Sequence, residues 1–464
     1  MKRKIVFLIP LFTFVLFALK VSAQEVWSLE KCINYANKNN LQIKQSKLDV
    51  TSAKVDMNQS KLNFLPSLNS SVSQNTGWGR SVDLATYQFT NQKSNQFYFS
   101  VNGNLTLFNG LQNVNELRQK QFQYLARKYN SDKIRNNISL NIVAAYLQIL
   151  NNIEQVNNAK RKLATSKDQI SRTKKEVEAG TVAKGNLLDI EAQGANDEVN
   201  LVNAQNRLML SYLDLMQLLD LNANTKFAIE KPNLQLPKAP DLLPIQSIYR
   251  NALGIMPEIK YAEYNVKIAG RGLAIARGQR SPTLSMSSSY GNNYSDRIRQ
   301  SNNPLDPGFN LTKSFWDQMR DNRSVTMGFR LSIPIFNGYQ VSSFIKKSRI
   351  NLEKANLDLQ IQKNNLRKTI EQAYTDALAA YQTFVARKKS VISLREAFKY
   401  AKEKFNVGML SATDYNVAKN NLFNAESDKT AAKYDYFFKT KILDFYLGRS
   451  LSLKDIIMAP QQNK

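Results

Sequence analysis

The pattern of hydrophobic and polar positions divides the chain into very long helical segments and short alternating ones. Residues 111–179 and 339–407 are runs of 69 residues without Gly or Pro. Each ends at a glycine of the kind that terminates helices, Gly180 and Gly408. Such a helix is roughly 100 Å long, and its distal half carries hydrophobic residues every seven positions, which predicts a coiled coil. These are Ile149, Val156, Leu163, Ile170 and Val177 in the first run and Ala377, Phe384, Val391, Phe398 and Phe405 in the second.

Shorter helices flank each long one. They are predicted at 28–63 and 186–219 around the first long helix, and at 245–280 and 413–447 around the second. Because two short helices together match the length of one long helix, we expect them to stack end to end beside it. The result is a rod about 100 Å long, with a proline-rich connector at 221–244 near its middle.

Between the first short helix and the long helix of each set, the period of the pattern changes to two. Hydrophobic and polar residues alternate in 97–107 and more strictly in 325–335. The partner strands at 68–75 and 284–291 alternate more weakly. The sequence therefore predicts four amphipathic β-strands.

The same layout occurs twice. Residues 41–50 match 257–266 at an offset of 216, and Leu-Phe-Asn-Gly at 107–110 matches Ile-Phe-Asn-Gly at 335–338 at an offset of 228. The change of offset indicates an insertion in the second hairpin. We predict two structural repeats, each made of a helix, a β-hairpin, a long helix and a return helix. Their boundaries are 24–220 with the hairpin at 64–108, and 245–449 with the hairpin at 282–336, followed by a C-terminal tail at 450–464.

The N-terminus predicts export. Three basic residues at 2–4 precede an apolar run that ends at Val21-Ser22-Ala23, which is the pattern of a secretory signal peptide covering residues 1–23. The run is shorter than the roughly 20 apolar residues of a spanning helix. Removing four basic residues and no acidic ones lowers the formal net charge from +27 to +23.

Composition restricts the chemistry. The chain has no histidine and a single cysteine, Cys32, so a Ser-His-Asp triad, a His-containing zinc site and an intramolecular disulfide are impossible. No carboxylate pair or glycine-rich phosphate loop stands out. We expect no catalytic residue, metal or cofactor. Cys32 lies nine residues beyond the predicted cleavage site, too far for a lipid anchor, and is predicted to be a packed thiol.

The alternating strands have two interpretations. They fit a half-buried sheet in a soluble domain, and they also fit an outer-membrane β-barrel, whose strands have about 9–11 residues. The signal peptide, the long rods and aromatic residues near the strand ends favour the barrel. Four strands leave open edges in lipid, so copies must share the barrel, and a through-channel requires at least three. The aromatic residues are Trp78, Tyr87, Phe89, Phe108, Trp316 and Phe336.

Together these features resemble the TolC-like outer-membrane efflux protein family, or outer-membrane factors. The resemblance rests on Trp-Ser-Leu-Glu at 27–30, the paired Leu-Pro-Ser-Leu (65–68) and Ser-Pro-Thr-Leu (281–284), the two Phe-Asn-Gly motifs and the two glycine turns. It implies a mainly α fold with transmembrane β-strands, in which a homotrimer shares an α-helical tunnel and a 12-stranded barrel. The expected barrel–helix junction residues are Pro66, Phe108, Gly110, Pro282, Phe336 and Gly338.

The resemblance also implies a function. The protein would be an outer-membrane channel that extends into the periplasm and docks onto a periplasmic adaptor (membrane fusion) protein and an inner-membrane pump of the RND, ABC or MFS type. It would conduct substrates passively and catalyse nothing. Its strands would contact outer-membrane lipid, and no nucleic-acid partner is implied.

By the same resemblance, the periplasmic entrance lies at the turns beyond the long helices, where polar and charged residues hold it shut in relatives. Asn186 stands where an aspartate is usual, Leu410 where an arginine gates, and Val417 where a second aspartate lines the pore; Asp414 keeps its carboxylate. An apolar constriction at Leu410 is the substitute closing contact. A second interpretation, compatible with the first, makes Asn186 and Asp414 helix N-caps. The predicted entrance residues are Gly180, Asn186, Gly408, Leu410 and Asp414.

Basic residues cluster on the distal coils. The simpler interpretation is a solvated coiled-coil flank whose lysine stems cover apolar neighbours. The sharper hypothesis is docking to an acidic adaptor tip. The candidate residues are Lys160, Lys167 and Lys174, which are spaced by seven, and Lys388 and Lys399 of the second repeat.

Three alternatives stay open at this point. A nucleic-acid-binding coiled-coil protein would explain the charge but neither the signal peptide nor the strands. A coiled-coil adhesin would not need two equal repeats. The conduit of a type I protein secretion system has the same architecture, and the sequence does not separate it from efflux.

Overall fold

The computed structural model describes residues 25–82, 87–222, 225, 227–232, 243–301, 303 and 305–451. The predicted signal peptide and most of the predicted tail, 452–464, lie outside the described residues. In chain order, the elements are β1 (Glu25–Trp27), α1 (Leu29–Asn39), α2 (Leu41–Leu62), β2 (Ser67–Val82), β3 (Phe89–Phe108), α3 (Gln112–Glu178), α4 (Lys184–Leu219), β4 (Phe227–Ile229), α5 (Ile245–Ile255), α6 (Pro257–Gly278), β5 (Thr283–Ser295), α7 (Phe315–Asp321), β6 (Ser324–Ser332), α8 (Gln340–Asn406) and α9 (Ala412–Tyr446).

The two long helices form as predicted. Helices α3 and α8 have 67 residues each, or about 100 Å. Helix α3 packs against α2, α4, α6 and α9, and α8 packs against α6 and α9. The predicted heptad residues are buried or half-buried throughout, which confirms the coiled-coil seams.

The helices predicted as single segments at 28–63 and 245–280 are each broken in two, so that prediction is wrong. Asn40 ends α1 and caps α2, because its side-chain oxygen accepts hydrogen bonds from the backbone N–H groups of Gln42 (3.0 Å) and Ile43 (3.2 Å). In the second repeat, Pro257 opens α6. A proline lacks the N–H that would continue α5, and it favours the first position of a new helix.

The return helices end at these breaks. The Asn40 amide donates to the carbonyl of Leu218 (2.9 Å), and the N–H of Leu41 donates to the Asp220 carboxylate (2.7 Å). The Asn251 amide likewise donates to the carbonyl of Leu447 (2.8 Å). Helix α1 therefore packs beside the end of α4, and only α2 extends beyond it. The predicted end-to-end stacking of whole short helices is corrected accordingly.

The connector lies at mid-height, as predicted. Strand β4 pairs in parallel with β1, and the hydroxyl of Tyr146, halfway along α3, lies 2.7 Å from the carbonyl oxygen of Glu230 and 3.1 Å from that of Trp27. Cys32 is fully buried in the core around this point, as expected for a packed thiol. Burial raises the pKa of its thiol to about 12. Pro237 and Pro240 of the connector lie outside the described residues.

Four strands form one antiparallel sheet at one end of the helices, in the order β2-β3-β5-β6. Strands β2 and β3 have 16 and 20 residues, longer than the predicted 68–75 and 97–107. Strand β6 ends at Ser332, short of the predicted 335. Pro334 explains this difference, because it has no N–H to donate to a neighbouring strand.

The insertion in the second hairpin is an ordered segment that contains α7. Its buried Gln318 donates to the carbonyls of Ser295 (2.9 Å) and Lys313 (2.7 Å). Phe315 packs edge-on against Phe97 and tilted against Tyr294. The helix thus lies on the sheet at the end away from the rods. In the part of the chain that the structure describes, no helix is both long and apolar enough to cross a membrane.

Candidate functional site

One face of the sheet is polar along its whole length. Residues opposite each other on neighbouring strands share a face, and the register places Asn102 opposite Ser289 and Ser71 opposite Ser100. The hydroxyls of Ser71 and Ser100 are 2.8 Å apart, Ser289 donates to the Asn102 amide oxygen (2.9 Å), and the Asn102 amide donates to Ser100 (3.1 Å). This ladder of hydroxyls and amides is a surface suited to contact with water.

The other face is apolar, and it is uncovered except at the end away from the rods, where Phe315 of α7 packs on Phe97 and Tyr294. Val325, Met327 and Phe329 of β6 are 80%, 63% and 67% exposed. The register places Val325 level with Tyr290 and Val101, and Phe329 level with Met286 and Leu105. Phe99 and Tyr290 make an edge-to-face contact on this side. Since a continuous exposed apolar surface of this kind is unstable in water, this face requires an apolar environment.

The predicted junction residues lie where the sheet meets the helices. Pro66 and Pro282 immediately precede β2 and β5. Gly110 and Gly338 have left-handed backbones, with φ of +66° and +57°. A Cβ on Gly110 would overlap the Gly278 carbonyl, whereas a Cβ on Gly338 would meet nothing within 4 Å. The two turns are equivalent in sequence, but only the first is covered within one chain.

Phe108 ends β3 and Phe336 follows β6, both towards the end of the sheet that joins the helices, and both side chains are exposed. Trp78, Tyr87, Phe89 and Trp316 are exposed at the opposite end of the sheet. The aromatic residues therefore stand near both ends of the strands, as the sequence predicts.

The distal turns close the long helices with left-handed glycines. Gly180 has φ +69° and Gly408 has φ +77°. The N–H of Gly180 bonds to the carbonyl of Val177 and that of the next residue to Glu176, both at 3.0 Å. This pattern satisfies the last carbonyls of the helix, and Gly408 repeats it. Asn186 and Asp414 are exposed beyond these turns, and Leu410 is half-buried.

Neither Asn186 nor Asp414 is an N-cap, so that interpretation is wrong. Helix α4 begins after Ala183, which makes no side-chain cap, and Asn186 is its third residue. Helix α9 is capped by Ser411, whose oxygen accepts from the N–H of Asp414 at 3.1 Å. The Ser411 hydroxyl in turn donates to the Asp414 carboxylate at 2.7 Å, so Asp414 is the third residue of a capping motif.

A buried charge cluster, which we call the Asp197 cluster, joins the two coil pairs. The Asp197 carboxylate on α4 lies 3.1 Å from Lys162 on α3 and 3.1 Å from Lys419 on α9. It also accepts hydrogen bonds from Ser166 and, at 3.0 Å, from Gln193. The Asp197 and Lys419 side chains are almost inaccessible to solvent. The cluster fixes α9 of the second repeat against α3 and α4 of the first.

Electrostatics favour the charged carboxylate in this cluster. Burial by itself would raise the pKa of Asp197, but the Ser166 hydrogen bond and the Lys419 and Lys162 charges outweigh it and hold that pKa below its usual range. A second acidic residue, Glu426 on α9, is bridged by Arg161 (3.0 Å) and Arg395 (2.6 Å). These contacts extend the link to α8.

The structure divides the distal basic residues into two groups. Arg161, Lys162, Arg387 and Arg395 form ion pairs with acidic residues of α4 and α9. The five predicted docking lysines are exposed, and none takes part in an ion pair found among the described residues. Those five are Lys160, Lys167, Lys174, Lys388 and Lys399.

The Asp197 cluster is not among the predicted sites, although the sequence contains a signal for it. Ile190, Asp197, Ala204 and Ser211 are spaced by seven and all are buried, so Asp197 occupies a seam position. Lys419 lies within the buried stripe of α9 in the same way. A charged residue at a seam position is itself an indication of a buried pair. Within the ranges that the structure covers, no His, Cys, Asp and Glu cluster has a metal-binding arrangement.

A sheet with one lipid-compatible and one water-compatible face, set at the end of 100 Å helical rods, defines an outer-membrane protein that combines barrel strands with a helical tunnel. Comparison with known sequences gives the family. The family model described as outer membrane efflux protein matches residues 32–220 and 248–449, close to the two repeats. The chain belongs to this family and is an outer-membrane protein that extends into the periplasm.

Individual relatives have low sequence identity to this chain, but the matches extend over most of its length. The chain is 21% identical to outer membrane efflux protein BepC of Brucella suis over 86% of this chain and 80% of that protein. It is 22% identical to outer membrane protein TolC of Escherichia coli over 71% of this chain and 64% of that protein.

Solved structures show the same fold. CusC has a TM-score of 0.75 at 18% identity, covering 91% of this chain and 92% of that chain. The outer membrane protein VceC of Vibrio cholerae has a TM-score of 0.75 at 17% identity, covering 91% and 97%.

Proposed function

We propose that the protein is the outer-membrane channel of a tripartite efflux system. Three copies share one 12-stranded barrel, and their helices form a tunnel across the periplasm that receives substrates from an adaptor and an inner-membrane pump. The observation that carries this proposal is the amphipathic four-stranded sheet. Its edge strands β2 and β6 are each paired on one side only in the described part of the chain. In lipid such edges must be closed by other copies.

The contacts between the two repeats supply a template for the contact between copies. In the chain, Tyr264 of α6 stacks on Tyr129 of α3, with ring centroids 5.5 Å apart. The matching residue on α2 is Leu48, and the matching residue on α8 is Leu357. Both are exposed, at 69% and 52%. Burying them against each other requires α8 of one copy to pack on α2 of the next.

Two further pairs of positions support the same template. Phe122 of α3 also contacts Tyr264, and its counterpart on α8, Ile350, is exposed. Gly278 of α6 lies against Gly110, and its counterpart on α2, Leu62, is exposed. Within one chain, residues of α2 in the first repeat and of α8 in the second repeat are exposed where their counterparts pack together. In a closed ring of copies, α8 of each copy would cover α2 of the next.

The native mass in mild detergent tests the shared barrel. Protein extracted from outer membranes should have about three times the mass of the mature chain. The full sequence, with the predicted signal peptide, is 52.8 kDa. A folded monomer would contradict the proposal, because four strands cannot close a barrel.

Loss of the gene tests the efflux function. A deletion strain should become sensitive to small toxic compounds, and the protein restored on a plasmid should reverse that sensitivity. Unchanged sensitivity together with loss of a secreted protein would instead identify a type I secretion conduit.

The docking hypothesis belongs to the same proposal. The exposed stripe of Lys160, Lys167 and Lys174 has no internal ion pair to lose, so its reversal to Glu should leave folding intact and abolish cross-linking to the adaptor. Reversal of the exposed Lys38, Lys44 and Lys54, near and beyond the helix break, is the matched control. If both triple variants cross-link to the adaptor equally well, the stripe is not part of the docking surface.

A further inference from the structure

The polar face of the sheet has an unusual charge distribution. By register, it contains alternate residues of all four strands, from Ser67 to Ser81, Thr90 to Thr106, Thr283 to Ser295 and Ser324 to Ser332. These residues are Ser, Thr, Asn, Gln, Gly and one Tyr, with a single exception. The exception is Arg330, the only ionisable residue with a charge at neutral pH on the described polar face.

Arg330 lies on β6 near the end of the sheet that joins the helices. It stands opposite Ser285 of β5, which stands opposite Thr106 of β3. The Arg330 side chain is exposed, and it makes no ion pair or hydrogen bond in the described structure. The acidic residues of the β5–β6 insertion, such as Asp296 and Asp317, follow β5 at the opposite end of the sheet.

We propose that Arg330 makes the lumen of the barrel prefer anions, so that anionic substrates cross this part of the channel more readily than cationic ones of similar size. The inference rests on the proposed function, since it requires that the polar face line a closed lumen. Three copies would place three guanidinium groups in one ring. A ring of Arg or Lys side chains favours anions in a pore, and low-dielectric walls focus its field.

A single charged residue per copy can set the preference for anions because the other residues of the polar face are neutral. Hydroxyl and amide groups solvate ions of either sign, so they do not oppose the arginine ring, and no carboxylate on the described polar face neutralises it. Arginine stays protonated at any working pH. The preference should therefore be independent of pH between 5 and 9 and should weaken at high salt, because the Debye length falls from about 30 Å at 0.01 M to 3 Å at 1 M.

Thiol labelling from the outside tests the inference without requiring an open periplasmic entrance. Ser287→Cys on β5 places a reporter on the polar face one step from Ser285, and the native Cys32 is buried. The rates of an anionic and a cationic methanethiosulfonate reagent of similar size are measured on the purified full-length protein. With Arg330 present, the anionic reagent should be favoured; in Arg330→Ser the anionic-to-cationic rate ratio should fall at least threefold, and in Arg330→Glu it should fall further and invert.

Arg80→Ser is the matched control. Arg80 is also a strand arginine, but it lies on the opposite face, over the ring of Phe89 at 4.9 Å, so its removal should leave the ratio unchanged. An unchanged ratio in Arg330→Ser, with a reporter that labels readily and a trimeric native mass, would overturn the inference alone. A reporter that labels only after denaturation, or a monomeric mass, would overturn the proposed channel as well.

Discussion

The Asp197 carboxylate contacts residues of both repeats, Lys162 of the first and Lys419 of the second. Replacing Asp197 with Asn leaves Lys162 and Lys419 without their counter-charge in a site that solvent scarcely reaches. Breaking a buried pair in this way costs about 3–5 kcal/mol. We expect Asp197→Asn to lower the midpoint of thermal unfolding followed by helical circular dichroism. Glu198→Gln, an exposed neighbour with the same charge change, should leave it unchanged, and equal midpoints for both variants would contradict the role of the cluster.

The stability that the Asp197 carboxylate contributes should also depend on pH. The pKa of Asp197 is depressed in the folded state, so its contribution is complete above the unfolded value of about 3.9 and is lost as the pH falls through the folded value. The difference in unfolding midpoint between the unsubstituted protein and Asp197→Asn should be large at pH 7 and shrink below about pH 4. A difference that stays constant down to pH 3 would show that the carboxylate charge is irrelevant.

Gly110 and Gly338 provide a second test at the scale of single residues. Alanine at either position is strained by roughly 1 kcal/mol, because both have positive φ. At Gly110 its Cβ would also lie 2.6 Å from the Cβ of Ser281 in the same chain. Gly110→Ala should therefore reduce the yield of folded chain.

Gly338→Ala should affect assembly instead. Nothing in its own chain lies within 4 Å of the added Cβ, but the repeat template places Leu62 and Leu65 of the neighbouring copy there. We expect a folded chain that forms fewer trimers, measured by native mass after extraction. A fully trimeric Gly338→Ala protein would show that the contact between copies differs from the contact between repeats.

Among the helices, the break at Asn40 is the element-scale feature with the clearest energetic cause. Its amide caps α2 through two hydrogen bonds and also ties the end of α4. Asn40→Ala should destabilise the protein by about 2 kcal/mol, more than the roughly 1 kcal/mol of a single cap. Ser28→Ala, which removes one cap bond from α1, is the comparison in the same chemical unfolding experiment. A smaller loss at Asn40 than at Ser28 would contradict the double role.

The sequence predicts the long helices within two residues, because 69 positions without Gly or Pro leave no competing structure. It does not predict the break at Asn40, since one asparagine in a helical pattern costs little. The break is decided by Leu218 and Asp220, about 180 residues away along the chain. Pro257 does signal the second break, because the residue before a proline disfavours the helical conformation.

Some features of the candidate site likewise follow from the local sequence, and others depend on the rest of the structure. The glycine turns and the polar face follow from local pattern, and the structure has both. The capping residue of α9 is Ser411, one turn earlier than the carboxylate expected, because the helix begins at Ala412, four residues after Gly408. The sequence does not predict the outer halves of β2 and β3, because Gly77 and Gly79 interrupt the alternation in β2 and residues 90–96 of β3 are all polar. These segments become regular strands through their pairing with each other.

At the scale of the whole molecule, the antiparallel pairing of β3 with β5 specifies a register for the missing pair. Asn104 stands opposite Ser287 within the chain. Their counterparts in the repeats are Ser332 on β6 and Ser71 on β2. If copies meet as repeats do, Ser332 of one copy lies opposite Ser71 of the next, with Cα atoms about 4.5–5.5 Å apart, a separation that a disulfide spans.

Ser71→Cys combined with Ser332→Cys should therefore produce covalent dimers and trimers on oxidation, seen by denaturing electrophoresis without reductant. Asn104→Cys combined with Ser287→Cys is the matched control, because the same geometry within one chain should form a disulfide with no change of mass. Asn75→Cys with Ser332→Cys is four residues out of register on β2 and should stay monomeric, since its Cα atoms lie beyond disulfide reach. Monomers from the Ser71 and Ser332 pair, alongside an oxidised control, would mean that β6 of one copy does not close on β2 of another in this register.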